Sequence, residues 1–99
     1  MSKSFSEIIK SDKLTLVDFF AEWCGPCKKM KPVLEELKKK VGDNVTILKI
    51  DVDKNQQAAE AYKIQAMPTL ILFKHGEIKW QQAGLVTAKS LVDIINKYS

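Results

Sequence analysis

The sequence contains no arginine, because all sixteen of its basic residues are lysines. Arginine's planar guanidinium is the side chain that most often recognises phosphates and nucleic-acid bases. The formal net charge is only +4, with twelve acidic residues interleaved among the lysines, whereas a nucleic-acid binder needs a clustered basic face. We therefore predict no nucleic-acid partner, and we interpret the lysine runs at 28–31 and 38–40 as solvated faces of a helix.

Long apolar segments are also absent, and cysteine is scarce. No stretch approaches the roughly 20 apolar residues of a membrane span, and residues 1–5 lack the apolar run and cleavage site of a secretory signal. We expect a cytoplasmic protein that does not enter a membrane. In a reducing compartment, Cys24 and Cys27 are expected to bind metal or to do redox chemistry, because structural disulfides are rare there.

A closed zinc site is a poor match for these two cysteines. Structural zinc takes four ligands, but the chain offers one histidine and no second Cys-x-x-Cys pair. A Cys-x-x-Cys pair next to a strand–helix–strand pattern is typical of redox proteins. The spacing therefore favours redox use, and no metal is predicted.

We predict one domain over residues 1–99, because the chain has no internal repeat, low-complexity tract or flexible linker. Apolar periodicity and turn residues predict helices at 4–11, 26–41, 56–62 and after a cap at 87, and strands at 14–21, 45–52, 69–74 and 77–82. A parallel βαβ unit followed by a ββα unit predicts a three-layer α/β fold with a mixed sheet. His75 lies in the two-residue hairpin connection, so we interpret it as a turn residue.

Cys24 lies where the first predicted strand has ended and the next helix begins. The free backbone N–H groups and the positive end of the helix dipole favour a thiolate there, and a thiolate is the attacking species in disulfide exchange. Cys27 follows one helical turn later, within reach of a mixed disulfide formed at Cys24. We therefore predict one attacking and one resolving cysteine.

Asp18 carries a carboxyl group in the apolar run of the first strand, between Val17 and Phe19. Burial there is expected to raise the pKa of Asp18, which suits a proton carrier. Lys49 lies in a similar run of the second strand, and a partly buried Asp18–Lys49 pair would oppose that rise. A structural ion pair is the alternative interpretation, and the residues alone leave both open.

Three segments of the chain closely resemble the thioredoxin family. They are residues 17–28, which include Trp-Cys-Gly-Pro-Cys at 23–27, then Met-Pro-Thr at 67–69 and Phe-Lys-His-Gly-Glu at 73–77. The resemblance runs from about Ser4 to the C-terminus. It implies a thioredoxin fold and a thiol:disulfide oxidoreductase that reduces disulfides in target proteins through Cys24 and Cys27.

The resemblance also implies roles for single residues. It makes Cys24 the exposed nucleophile and Cys27 the buried resolving thiol, and it favours Asp18, near Lys49, as the group that takes the Cys27 proton. It implies a cis peptide bond before Pro68, where cis frequencies alone would predict a trans bond. The implied docking residues are Trp23, Gly25, Pro26, Ala66, Met67, Pro68 and Gly84. A turn role would explain Gly84 equally well.

The sequence departs from the family's pattern at three places. Thioredoxins usually begin with a further strand, but only residues 1–3 precede the first helix here. We therefore expect a sheet of four strands with 45–51 at its edge. Phe20 stands where bacterial members often carry tryptophan, and Ala66 where glycine or serine is usual. These differences concern docking detail and not the reaction.

The resemblance implies no bound cofactor and a supply of electrons from NADPH through a thioredoxin reductase. The implied partners are that reductase and disulfide-containing client proteins, and the chain is expected to be a monomer. A disulfide-forming oxidant or isomerase is a second interpretation, which the Gly25-Pro26 pair and the absence of an export signal disfavour. A third is a rigid binding module in which the thiols are incidental, and substitution of both cysteines would distinguish it.

Overall fold

A computed structural model of the chain describes residues 4–99. Its elements are, in chain order, α1 (Phe5–Ile9), β1 (Leu14–Phe20), α2 (Gly25–Val41), a 3-10 turn (Gly42–Asn44), β2 (Val45–Asp51), α3 (Gln56–Ala61), β3 (Thr69–Lys74), β4 (Glu77–Ala83) and α4 (Ala88–Tyr98). All the predicted helices and strands are present, and none of their ends differs from the predicted one by more than two residues. The expectation of a missing first strand concerns residues 1–3, which lie outside the described residues.

One mixed sheet forms the middle layer, with the strand order β2-β1-β3-β4. β1 pairs parallel to β2 and antiparallel to β3, and β3 pairs antiparallel to β4. Within residues 4–99 the sheet therefore has four strands and β2 is one of its edges, which confirms the predicted architecture. Because β1 and β2 are parallel, the carboxyl ends of both strands meet at one edge of the fold.

Helices cover both faces of this sheet. Side chains of α2 and α4 pack with Leu14 and Leu16 of β1 on one face, whereas Val17 and Phe19 belong to the core on the opposite face, with Ile9 of α1. Successive side chains of a strand point to opposite faces. The carboxyl of Asp18 consequently lies on the same face as Leu16, the face that α2 covers.

Four aromatic rings stabilise the face opposite α2. Phe5, Phe19, Tyr62 and Phe73 form a cluster whose ring centroids lie 5.3 to 6.3 Å apart. Most pairs meet edge to face, the arrangement that the ring quadrupole favours. The cluster holds α1 and the end of α3 against the sheet.

Short-range signals in the sequence fix several ends of the elements. The side chains of Ser4 and Thr87 each accept a hydrogen bond from the backbone N–H three residues later, at 3.3 and 3.1 Å, and so cap α1 and α4 as predicted. His75 and Gly76 have φ values of 55° and 79°, the left-handed conformations of a tight hairpin turn. His75 is therefore a turn residue, as expected.

Candidate active site

The loop between β1 and α2 places Cys24 at the start of a long helix. Cys24 is the N-cap residue of α2, with extended backbone angles. Its Sγ accepts a hydrogen bond from the backbone N–H of Cys27 at 3.2 Å, and Pro26 occupies the first turn, where its missing N–H leaves no helical hydrogen bond unmade. The N–H groups of this first turn therefore stabilise negative charge on the Cys24 sulfur.

Cys24 and Cys27 are joined by a disulfide, with their Cα atoms 5.3 Å apart. The structure is therefore that of the oxidised protein. Cys24 is 5% exposed and Cys27 7% exposed, so the expected contrast between an exposed and a buried cysteine is wrong for this state. Both cysteines form one small cluster with Ala21, against which Phe20, Val52 and Met67 pack.

A proline turn lies against the cysteines. The peptide bond between Met67 and Pro68 is cis, as the family resemblance implied, and the Sγ of Cys24 lies 3.5 Å from the Met67 carbonyl oxygen. The backbone N–H of Gly84 donates to the Pro68 carbonyl at 2.8 Å. The turn before β3 and the end of β4 are thus held together beside Cys24, with Ala66 exposed next to them.

Gly84 has a backbone reason to be glycine. Its φ is +92°, a conformation that residues with a Cβ rarely adopt, although a Cβ placed there would meet no atom within 4 Å. The turn interpretation therefore accounts for this residue by backbone conformation, and open space above it leaves room for an approaching chain.

Trp23 projects from the protein beside Cys24. It is 69% exposed, and its indole Nε1 donates a hydrogen bond to Oδ2 of Asp53 at 2.9 Å. Gly25 and Pro26 are exposed as well. Asp53 was not among the site residues predicted from the sequence, although its position just after β2, where the two parallel strands end, was a usable signal.

Asp18 is buried within β1 at 3% exposure. Its Oδ1 has no hydrogen-bond partner among the described residues. Burial raises the pKa of Asp18 from 3.8 to about 6, and the positive charge of Lys49 opposes this rise to a smaller extent. The predicted direction of the shift is confirmed.

Lys49 is the direct neighbour of Asp18 in the parallel pairing of β1 and β2. Lys49 is exposed, and within residues 4–99 it forms no ion pair with Asp18. The expected partly buried ion pair is therefore wrong. Because β2 is an edge strand, the long lysine side chain reaches solvent and acts on Asp18 through its field only.

A cavity of about 380 Å³ connects these groups. Asp18, Cys27 and Lys49 line it, and its other lining residues are Phe20, Ala21, Glu22, Lys28 and Lys31. The buried carboxyl and the second cysteine therefore share one solvent-accessible space. Water in this space can carry a proton between them.

A family model described as thioredoxin matches residues 1–97. The chain belongs to the thioredoxin family. The thioredoxin of Rickettsia typhi is 45% identical over 92 residues, which cover 93% of this chain and 88% of the relative. The thioredoxin of Chlamydia trachomatis is 47% identical over 96 residues, which cover 97% and 92%.

Solved thioredoxin structures share the fold. A thioredoxin from Malassezia sympodialis has a TM-score of 0.85 at 36% identity, covering 96% of this chain and 84% of that one. A mutant thioredoxin from Halobacterium salinarum has a TM-score of 0.84 at 38% identity, covering 99% and 86%. The predicted thioredoxin fold is confirmed.

Membership of the thioredoxin family gives the chain its activity. It is a thiol:disulfide oxidoreductase whose redox-active dithiol is Cys24 and Cys27, and dithiol–disulfide exchange in this family needs no bound cofactor. Within residues 4–99, no group of three or more His, Cys, Asp or Glu side chains is placed to hold a metal ion. Across the same residues, no helix is both long and apolar enough to cross a membrane.

Proposed function

We propose that Cys24 attacks a disulfide of a client protein and that Cys27 completes its reduction. One observation carries this assignment: Cys24 caps α2, and its sulfur accepts the backbone N–H of Cys27. A negative charge on that sulfur is stabilised by the helix terminus, while Cys27 lies inside the first turn. The reactive thiolate is therefore Cys24.

The exchange transfers two electrons from the dithiol to the client. The Cys24 thiolate attacks one sulfur of the client disulfide, the S–S bond of the client breaks, and the departing client sulfur leaves as a thiolate that takes up a proton. Cys27 then loses its proton and attacks the Cys24 sulfur of the mixed disulfide. The second client thiolate leaves, and the product is the Cys24–Cys27 disulfide that the structure contains.

Asp18 is the group that accepts the proton of Cys27 in this scheme. Its buried carboxyl lacks a hydrogen-bond partner at Oδ1 among the described residues and lines the same cavity as Cys27. A pKa of about 6 lies close enough to neutral pH for a general base. The exposed Lys49 tunes the pKa of this carboxyl and does not itself touch it.

The groups around Cys24, of which Trp23, Gly25, Pro26 and Ala66 are exposed, form the docking surface for clients. Its members are Trp23, Gly25, Pro26, Ala66, Met67, Pro68 and Gly84. The Met67 carbonyl lies beside the Cys24 sulfur, so an extended client chain can add to the backbone here in the manner of an extra strand. Open space above Gly84 supports this approach.

The remaining parts of the proposal concern the working cycle. Electrons come from NADPH through a thioredoxin reductase, and the partners are that reductase and disulfide-containing client proteins. Residues 1–99 act as a single domain and as a monomer, in the cytoplasm. Nucleic acid is not a partner.

A coupled assay tests the proposed function. Purified protein, a thioredoxin reductase, NADPH and a protein disulfide are mixed, and the oxidation of NADPH is followed by its absorbance. We expect turnover with the natural chain and none with Cys24→Ser or Cys27→Ser. Full turnover with either variant would overturn the proposal and favour a binding module with incidental thiols.

A further inference from the structure

The loop after β2, residues 52–55, lies beside the active-site loop. Because β1 and β2 run parallel, the chain leaves both strands at the same end of the sheet. The backbone N–H of Val52 donates to the Phe20 carbonyl at 2.9 Å and extends the strand pairing by one step. The loop that carries Cys24 is thereby held against the loop that carries Asp53.

Trp23 has little packing to fix its ring, because it is 69% exposed. An exposed indole on two side-chain torsions samples several rotamers unless a specific contact selects one. Among the described residues, Nε1 of the indole donates a 2.9 Å hydrogen bond to Oδ2 of Asp53. A hydrogen bond to a carboxylate is short and stronger than one between neutral groups.

Asp53 is itself held in place by its neighbours in the loop. Its backbone N–H donates to Oδ1 of Asp51 at 2.9 Å, and the side chain of Asn55 donates to the Asp51 carbonyl at 3.0 Å. Asp51 is 9% exposed and ends β2. The acceptor for the indole is therefore attached to the sheet and not to a free loop.

We propose that Asp53 is a positioning residue that presets the Trp23 ring for client docking. The inference rests on the proposed function, in which Trp23 belongs to the docking surface. A preset ring spares the client the cost of immobilising it on binding. The loop of residues 52–55 would thus set the affinity for protein disulfides without touching the reacting sulfurs.

Asp53→Ala removes the acceptor, and the effect should appear in substrate binding. Immobilising one side chain is expected to change KM for a protein disulfide by about two- to tenfold. We expect KM for the protein disulfide to rise by this factor while kcat stays unchanged. The rate with hydroxyethyl disulfide, a small neutral substrate that needs no docking surface, should not change. Lys54→Ala is the matched control, since it breaks the exposed 3.7 Å ion pair with Glu22 in the same loop and should change neither value.

Two further variants separate positioning from charge. Asp53→Asn loses the charge but keeps an oxygen that accepts a hydrogen bond from the indole, so its KM should stay close to that of the natural chain. Trp23→Phe lacks the hydrogen-bond donor, so adding Asp53→Ala to this variant should raise KM no further. Fluorescence anisotropy of Trp23, measured after Trp80→Phe removes the other tryptophan, should fall in Asp53→Ala and stay high in Asp53→Asn.

The outcomes distinguish the inference from the proposed function beneath it. A normal KM for Asp53→Ala, together with a raised KM for Trp23→Phe, would overturn the positioning role alone. Equal effects of Asp53→Ala and Asp53→Asn would also overturn it, because charge would then be the cause. A normal KM for Trp23→Phe would overturn the docking role of Trp23, and the positioning inference with it.

Discussion

Asp18→Asn is the substitution that separates a proton acceptor from a structural carboxyl. The amide keeps the shape of the buried side chain, but it carries no charge and accepts no proton from Cys27. Two effects should appear together near neutral pH: slower resolution of the mixed disulfide and a more stable fold.

The stability effect follows from the pKa of Asp18, which burial raises from 3.8 to about 6 in the folded protein. The folded state binds the Asp18 proton more tightly than the unfolded chain does. The contribution of this proton to the free energy of unfolding is therefore complete below about pH 3.8 and is lost as the pH rises to about 6. At about 1.4 kcal/mol per pH unit, the loss is about 3 kcal/mol. The variant should be up to about 3 kcal/mol more stable than the natural chain near pH 7, and no more stable below about pH 3.8.

The kinetic effect follows from the thiol that loses its base. An ordinary thiol with a pKa of about 8.5 is only about 3% ionised near pH 7. Without Asp18, resolution by Cys27 should slow by up to about thirtyfold near pH 7 and recover as the pH approaches about 8.5. The first attack by Cys24 should change much less, because the helix terminus stabilises that thiolate.

Stopped-flow kinetics across the pH range measure the two steps, and urea unfolding of the oxidised protein gives the stability. Asp12→Asn is the matched control, because it removes an exposed carboxyl and should alter neither property. If Asp18→Asn resolved the mixed disulfide at the same rate and with the same pH dependence as the natural chain, the proton-acceptor role would be refuted. A loss of stability near neutral pH would instead favour the structural carboxyl.

Three further predictions concern other residues. Lys49→Gln removes the charge that lowers the pKa of Asp18, so an NMR titration should place that pKa above about 6; an unchanged or lower value would contradict this. Gly84→Ala imposes a φ of +92° on alanine without a steric clash, so urea unfolding should show a loss of about 1–2 kcal/mol, and an undiminished stability would be the contrary result. Brief alkylation of the reduced protein should label Cys24 before Cys27, because thiolate character and not exposure separates them; mass mapping that finds equal labelling would count against the assigned roles.

Local patterns in the sequence sufficed for the parts of the fold that depend on neighbours along the chain. An apolar run of strand length, followed by a turn and an amphipathic helix, placed Cys24 at the start of α2. The same run predicted that Asp18 would be desolvated, and its pKa moved in the expected direction. Both conclusions need only the period of the side chains and their immediate context.

Contacts between distant segments escaped that reasoning. The bond between Trp23 and Asp53 joins residues 30 positions apart, and it depends on which strands are neighbours in the sheet. Met67 packs against the cysteines, and this contact between residues far apart along the chain is made through the turn before β3. Lys49 proved exposed because β2 is an edge, where a long side chain reaches water instead of pairing with Asp18.

Covalent trapping of a client tests the roles of the two cysteines most directly. Reduced Cys27→Ser protein is mixed with a protein disulfide, and the adduct is mapped by mass spectrometry without reductant. We expect a stable mixed disulfide between Cys24 and the client, because the group that would resolve it is gone, and we expect no adduct with Cys24→Ser. A client attached to Cys27 in the Cys24→Ser protein, or no adduct in the Cys27→Ser protein, would contradict the assignment of Cys24 as the attacking thiolate.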